Sequence, residues 1–550
     1  VKHNRNLLNS FIELDARERA RAILDLGTFR ELLDPFQRIE SRHLMIQGIV
    51  PQSDDGVVVA KGMIEKQPAV VISVDGRFQG GAIGEVSGAK IAGALELALR
   101  DNRNGIPTRA ALLVESGGVR LQEGNYGLLA IAEIQAAIVE LRRYQPVVCV
   151  IAGMIGCFGG MSITAGLCSE IIMTRQGRLQ LNGPEVIEQE AGIQELDSKN
   201  RRLIWSMTGG EQRVETDLAD TLVHDDIEEV QQAIRAGFQS ARMDMHRSSD
   251  VDKFLSRLAE VNAVEQPHLK REHPIRSGAQ DELPSRGRTF FHKLTEGFPS
   301  PQDKSSTILS AESIIGNEIV QYVAVVPLSS NRFYRARSGE VGLEEGWNIA
   351  RCVRQIIAED KFRVKRAIVA IVDVPSQAYG YHEELHGIHL SCAAAVDAYA
   401  TARLMGHPVI ALVVGQAISG AFLAHGLQAN RIIALDDPNV TLQVMSKQSA
   451  ARITRRSIEE LDEIARKIPA TAYDIRSFAT LGALHHLIGG MDADQPSSSD
   501  IDEVKIAILQ AIKDVRNSVN DLSCRLQSKE AQDSRSLSIL VRTKLVEQWK

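Results

Sequence analysis

The sequence holds no CxxC pair among its six cysteines, Cys149, Cys157, Cys168, Cys352, Cys392 and Cys524. That excludes a zinc ribbon and a thioredoxin-type redox motif. Their scatter through apolar segments predicts reduced, buried thiols of a cytosolic chain. Aromatic residues make up only 5%, too few for a protein that stacks bases along its surface. Basic excess is also missing: the net charge is −7, which removes the electrostatic footprint of nucleic-acid binding. No G-x-S-x-G elbow occurs, and Ser419 has no evident triad, which argues against a serine hydrolase. The opening stretch, VKHNRNLLNSFIELDARERARA, lacks the apolar core of a signal peptide, so a cytoplasmic location is expected. From Pro146 to Ser169 no residue carries a formal charge, a length that could cross a bilayer. It starts with proline and has Gly159-Gly160 at its middle, and so reads better as strand, glycine loop and buried helix.

At 550 residues length alone suggests three or four domains, although α/β domains often run larger. Hydrophobic residues at 44% and charged residues at 24% are ordinary for a globular chain with a full core. Residues 11–40 read as helical. β-branched runs between Gly48 and Val74 read as strands, and a helix follows the glycine loop at 80–84. Residues 262–304 are polar, carry Pro274 and Pro284, and show no sustained apolar period. They read as a linker between one domain at 1–261 and another at 305–550. A second break near 490–500 precedes a helical tail.

The most informative feature is an internal repeat. RAALLVESGG, a helix, PVVCVIAG and FGGMSITAGLCSEIIMT in the first half correspond to RAIVAIVDVPS, a helix, PVIALVVG and ISGAFLAHGLQANRIIAL in the second. The spacing from Pro146 to Gly153 equals that from Pro408 to Gly415. The spacing from Gly160 to Gly166 equals that from Gly420 to Gly426. Apolar strands with helical crossovers imply covered, mostly parallel sheets.

In each half a strand ends in a small-residue loop that opens a helix: Gly117-Gly118, Gly159-Gly160, and Ser419-Gly420. Small residues let a ligand approach the backbone. The first N–H groups of a helix lack intrahelical partners, and the helix dipole adds positive potential there. Two such N–H groups converging on one oxygen form an oxyanion hole. Tight turns and close helix packing would explain any single glycine pair equally well. Repetition at equivalent points in both halves favours binding.

ESGGVRLQEG at 115–124 and FQGGAIGEVSGAKIAGALELAL from Phe78 resemble the loops of acyl-CoA carboxyltransferases in the crotonase superfamily. More narrowly, GIVPQSDDGVVVAKG, LNGPEVIEQEAGIQELDS and MTGGEQR resemble the beta subunit of biotin-independent malonate decarboxylase. SGEVGLEEGW, IVDVPSQAYG, VDAYATARLMGHPVIALVVGQAISGAFLAHGLQANRIIALDDP and AYDIRSFATLG resemble its gamma subunit. The resemblance covers roughly residues 10–240 and 305–490, leaving the linker and tail outside. It implies an α/β fold of two tandem crotonase-like β-β-α superhelical domains. It implies a malonyl thioester on an acyl-carrier protein, presented through a CoA-like prosthetic group, with no tightly bound cofactor and no metal. An acyl-carrier transferase subunit would be a second partner. Crotonase-type domains usually associate, so a homodimer or larger homo-oligomer is expected.

On this reading CO2 loss leaves an enolate whose charge sits on the thioester oxygen. Amides near Gly117, Gly118, Gly159 and Gly160 would hold that oxygen. Ser419, Gly420 and Ala421 would hold the departing carboxylate. Gly80, Gly81, Gly84 and Lys90 are the candidate contacts to the CoA-like group, although Lys90 could instead pair with nearby carboxylates, as Arg120 is expected to. Glu123, His425 and Tyr379 are weak candidates for the proton donor. His382-Glu383-Glu384-Leu385-His386 contains H-E-x-x-H, but no third ligand follows at metzincin spacing, so a polar helix face is expected. Two other functions stay open: a carboxyltransferase that passes the carboxyl to a biotin carrier, and a non-catalytic scaffold that docks the carrier protein.

Overall fold

The computed structural model describes residues 9–240, 246–261, 282–296 and 306–550. The chain forms two compact units, one within residues 1–185, 197–248 and 535–550, the other within 186–196 and 249–534. Most of the stretch read as a linker lies outside the described residues. Within it, Arg286–Leu294 forms a helix.

The first unit is built on a seven-stranded sheet whose spatial order follows the chain: β1 (Arg30–Leu32), β2 (Val57–Ile64), β3 (Gln67–Val74), β4 (Arg109–Leu113), β5 (Val147–Ile151), β6 (Glu170–Thr174) and β7 (Thr221–Val223). β2 and β3 form an antiparallel hairpin, and every later neighbour is parallel. The hairpin turns on Glu65 and Lys66, both with positive φ, the geometry that matches strand twist. Neither residue is glycine. The Asp25 carboxylate accepts from both of their N–H groups, at 3.2 and 2.8 Å, and so stabilises the turn. Residues 11–40, expected to be helical throughout, contain the helix Ala16–Ile23 followed by β1. Gly27 and the turn around it end the helical period.

The second unit repeats the plan. β8 (Ile308–Ile315) and β9 (Glu318–Val325) form the hairpin. β10 (Ala367–Val374), β11 (Val409–Ile418), β12 (Arg431–Leu435) and β14 (His486–Ile488) continue in parallel, and β13 (Thr441–Gln443) pairs with the far end of β11. β4, β5 and β6 are buried almost throughout, as a sheet with helices on its faces requires. Val147–Ile151 and Gly160–Leu167 resolve the uncharged stretch into strand and short helix. No helix among the described residues is long and apolar enough to cross a membrane.

The repeat extends to details. Gly84 caps the helix Glu85–Arg103 and Gly342 caps Leu343–Glu359, with nearly identical backbone angles, φ −110° and −107°, ψ −157° in both. The side chain three residues into each helix accepts the cap's N–H: Ser87 Oγ at 2.8 Å, Glu345 Oε2 at 3.0 Å. Gly153 leaves room for the Glu115 carboxylate, and Gly415 leaves the same room for Asp373.

The tail beyond residue 490 begins with the helix Ser498–Arg516 in the second unit. Its last helix, Ser536–Gln548, belongs to the first. There Arg542 meets Glu96 at 3.0 Å and Glu133 at 2.7 Å, and Trp549 Nε1 donates to Asp101 at 2.9 Å.

Two carboxyls in the second unit, Glu345 and Glu383, are buried with no ion-pair partner among the described residues. Burial pushes Glu345 up to about 7, opposed by donors on Thr307 and Asn331. Burial pushes Glu383 up to about 8. Between the ordinary carboxylate range and these values the folded chain holds protons that the unfolded chain has lost. Stability therefore falls as pH rises from about 4.5 through about 8. Urea unfolding should show the second unit losing several kcal/mol across that window, and Glu383→Gln should flatten the slope. A slope unchanged by the substitution would contradict this.

Candidate active site

The loop after β4 and the loop after β5 lie side by side in the first unit. Ser116 pairs with Cys157 as parallel β-bridge partners. The Ser116 N–H donates to Gly156 O at 2.8 Å, and Phe158 N–H donates to Ser116 O at 2.9 Å. On its other side the same loop pairs with Ile83, which donates to Gly118 O and accepts from Arg120 N–H, both at 2.8 Å. Successive amides of extended chain point to opposite sides. Val119 N–H is therefore turned away from Ile83, towards Gly159.

This lattice narrows the amides expected to form the hole. Gly117 N–H donates to Gly80 O at 2.8 Å, and Gly159 N–H donates to Leu181 O at 2.9 Å. Gly118 N–H reaches Ser116 Oγ at 3.2 Å. Three of the four named glycines thus spend their donors within the scaffold. Gly160 N–H, the first of the helix Gly160–Leu167, has no acceptor among the described residues, and neither has Val119 N–H. A Cβ on Gly159 would stand 3.9 Å from Val119 N, which puts Val119 beside the residue that caps this helix. Gly118 and Gly159 earn their identity by contact: φ is +97° and +56°, and a Cβ on either would lie 3.1 Å from the other's Cα. Val119 escapes a motif-based reading because the motif draws attention to its glycines. Its position between the two β-bridges is the signal that exposes it.

The candidate CoA contacts divide. Gly80 has φ +63° and nothing within 4 Å of where a Cβ would stand. A Cβ on Gly81 would overlap the Glu115 carbonyl, and one on Gly84 would overlap the Glu123 carboxylate, so both allow close packing. The amides at the start of Glu85–Arg103 are capped internally: Gly84 by Ser87, Glu85 by Glu123 at 3.4 Å, Ser87 by Asp55 at 2.8 Å. Lys90 is buried, and burial lowers it to about 8. Its ammonium donates to Leu33 O at 3.2 Å, Asp54 O at 3.1 Å and Val57 O. All three protons are engaged, so Lys90 does not reach a phosphate; it ties the β2 entry to the helix.

Arg120 pairs with carboxylates as expected. Its Nη1 lies 2.7 Å from both Asp55 Oδ1 and Glu123 Oε2, with all three side chains buried. Glu123 also accepts from Ser41 Oγ at 2.6 Å, which removes it as a proton donor. His425 is removed too: its Nδ1 faces Tyr399 OH and its Nε2 faces Ile371 O, each at 3.0 Å, and burial lowers it to about 4. Tyr379 is raised by burial, which keeps its phenol neutral. Burial likewise raises the Cys157 thiol, so it stays protonated and poorly nucleophilic.

In the second unit Val341 takes the place of Ile83. Its N–H donates to Ser376 O, and its carbonyl accepts from Ala378 N–H, both at 3.0 Å. Gln377 consequently occupies the position of Val119. Ser419 has φ +53° beside +56° at Gly159, so Ser419, Gly420 and Ala421 correspond to Gly159, Gly160 and Met161. The expected polar helix face at His382–His386 is instead a five-residue helix, Tyr381–Leu385, with Glu383 and Glu384 buried. No group of three or more metal-ligating side chains occurs among the described residues.

Two substitutions probe this arrangement. Gly118→Ala should lower turnover about 10- to 100-fold by forcing the two loops apart, since displacing one donor of such a hole costs up to 10²- to 10³-fold. Arg120→Met should destabilise the chain by about 3–5 kcal/mol by leaving buried carboxylates without their cation, measurable by denaturant titration.

Residues 336–549 match the family described as malonate decarboxylase gamma subunit, and residues 13–241 match the carboxyl transferase domain. The first match takes in the tail that the motifs left uncovered. The malonyl-S-ACP:biotin-protein carboxyltransferase MADC of Malonomonas rubra is 46% identical over 214 residues, 37% of this chain and 67% of that protein. MADD of the same organism is 35% identical over 218 residues, 39% of this chain and 67% of that protein. A crystal structure of a Pseudomonas malonate decarboxylase hetero-tetramer in complex with malonate is 62% identical, covering 48% of this chain and 96% of that one, with a TM-score of 0.47. The chain belongs to the malonate decarboxylase family of carboxyltransferase-type subunits, with a beta-like half and a gamma-like half in tandem.

Proposed function

We propose that this chain decarboxylates a malonyl thioester borne on an acyl-carrier protein, yielding the acetyl thioester and CO2. The supporting observation is the pair of uncommitted amides, Val119 N–H and Gly160 N–H, on adjoining loops whose other donors are spent. As the carboxyl leaves, its bonding electrons pass into an enolate and charge builds on the thioester oxygen. Amides aimed at that oxygen hold it more tightly in the transition state than in the ground state, which is the condition for acceleration. They are fixed by the β-bridges on either side and need no reorganisation during the reaction. Glu123 and His425 are engaged elsewhere, which leaves Tyr379 and water as the proton sources for the enolate carbon.

The partners in this reading are the acyl-carrier protein and the transferase subunit that loads it, within an assembly holding at least two copies of this chain. Gly80, with open space at its Cα, is the glycine best suited to lie against the CoA-like arm. A Pseudomonas malonate decarboxylase hetero-tetramer has been solved with coenzyme A, which favours a CoA-shaped ligand in this family.

The chain incubated with malonyl-carrier protein should release CO2 and form the acetyl thioester, with no effect of avidin. Gly160→Pro deletes one amide where proline is tolerated, at the first helical position. It should lower kcat about 10²- to 10³-fold while leaving the thermal transition in place. Undiminished turnover in that variant would overturn the assignment of the hole, and absence of CO2 release would favour a docking scaffold.

A further inference from the structure

The two halves place the same backbone in the same register, and one of their side-chain differences bears directly on the donor amides. Where the first half has Val119, the second has Gln377. A valine cannot accept a hydrogen bond, and Gly160 N–H is left unspent. The Gln377 carboxamide can accept, and its Oε1 lies 3.1 Å from Gly420 N, the counterpart of Gly160 N. The orientation of the carboxamide follows from the chemistry, because an N–H donor must face its oxygen and not its NH2 group. Gln377 is 6% exposed and Gly420 is buried, so this bond is made inside the protein, where a displaced partner is costly to replace.

We infer that Gln377 is a built-in occupant of the second half's donor position and sets acceptor specificity: it closes that half to the ureido oxygen of a biotin-type acceptor. The inference rests on the decarboxylase reading and sharpens it. A carboxyltransferase needs two donor sites, one for the thioester oxygen and one for the group that receives the carboxyl. Here the second is filled by the chain's own amide, whose carbonyl oxygen resembles a ureido oxygen in charge and hydrogen-bonding capacity. An incoming ureido group gains one hydrogen bond and breaks one already made, so its net advantage is small. The carboxyl then leaves as CO2 to solvent and is not handed on.

The test uses the full-length chain and biotin methyl ester as the ureido probe, with binding followed by calorimetry. Gln377→Val reproduces the first half's side chain and removes the acceptor. Gln377→Glu retains an acceptor at the same reach. The wild type and Gln377→Glu should show no saturable binding in the millimolar range, and Gln377→Val should bind at least tenfold more tightly. Thermal unfolding of each variant verifies that the fold persists. Wild-type chain that binds the probe as well as Gln377→Val, or a folded Gln377→Val that still does not bind, would overturn the inference. Because the readout is binding, it stands apart from CO2 release. A chain that releases no CO2 refutes the proposed function, whereas probe binding that is indifferent to Gln377 refutes only this assignment.

Discussion

The first unit depends on Arg120 held between Asp55 and Glu123. Burying three charged groups costs several kcal/mol each unless they meet in good geometry, and here one guanidinium nitrogen reaches both carboxylates at 2.7 Å. The two acids also serve the backbone: Asp55 accepts from Ser87 N–H, and Glu123 from Ser41 Oγ and Glu85 N–H. One cluster thereby binds the loop 115–124 to the β2 entry and to the first turn of Glu85–Arg103. The Val119 amide keeps its direction because both flanking residues are tied, Gly118 and Arg120 through Ile83. The loop is thus held in place by side chains that are themselves fully buried.

The two halves show how a shared scaffold diverges. Both make the same hairpin, the same glycine cap and the same room for an acid at a strand end, Glu115 in one and Asp373 in the other. Differences concentrate in what the acids and amides are asked to do. Arg19 meets Glu115 at 3.1 Å, whereas Asp373 accepts from the Gly287 and Gln416 amides at 3.0 and 3.2 Å. Ser87 closes one cap as a neutral hydroxyl. Glu345 closes the other as a buried carboxyl that burial pushes up to about 7.

Much of this was legible in the sequence. The apolar strands, the crossover helices and the pairing of the halves follow from apolar runs and matched spacings, because a strand buried on both faces writes itself as unbroken hydrophobicity. Which glycine amides remain available was not legible. That depends on hydrogen bonds between residues distant in the chain, such as Gly117 to Gly80 and Gly159 to Leu181. Lys90 misled for a similar reason: a lysine near a glycine loop suggests phosphate, and only the carbonyls of Leu33, Asp54 and Val57 reveal that its charge is absorbed. Gln377 sits within the motif IVDVPSQAYG, but nothing in that motif singles it out as a site residue. It gains meaning only when superposed on Val119 through the pairing of Ser376 and Ala378 with Val341.

The helix Ser536–Gln548 completes the first unit although the intervening chain builds most of the second. During synthesis, then, helix Glu85–Arg103 must wait, with Glu85, Glu96 and Asp101 lacking their final partners, until more than four hundred further residues have left the ribosome. The beta-like half cannot finish maturing ahead of the gamma-like half. Tandem fusion therefore makes assembly of the two halves a single event in time, with equal numbers of each guaranteed by translation itself.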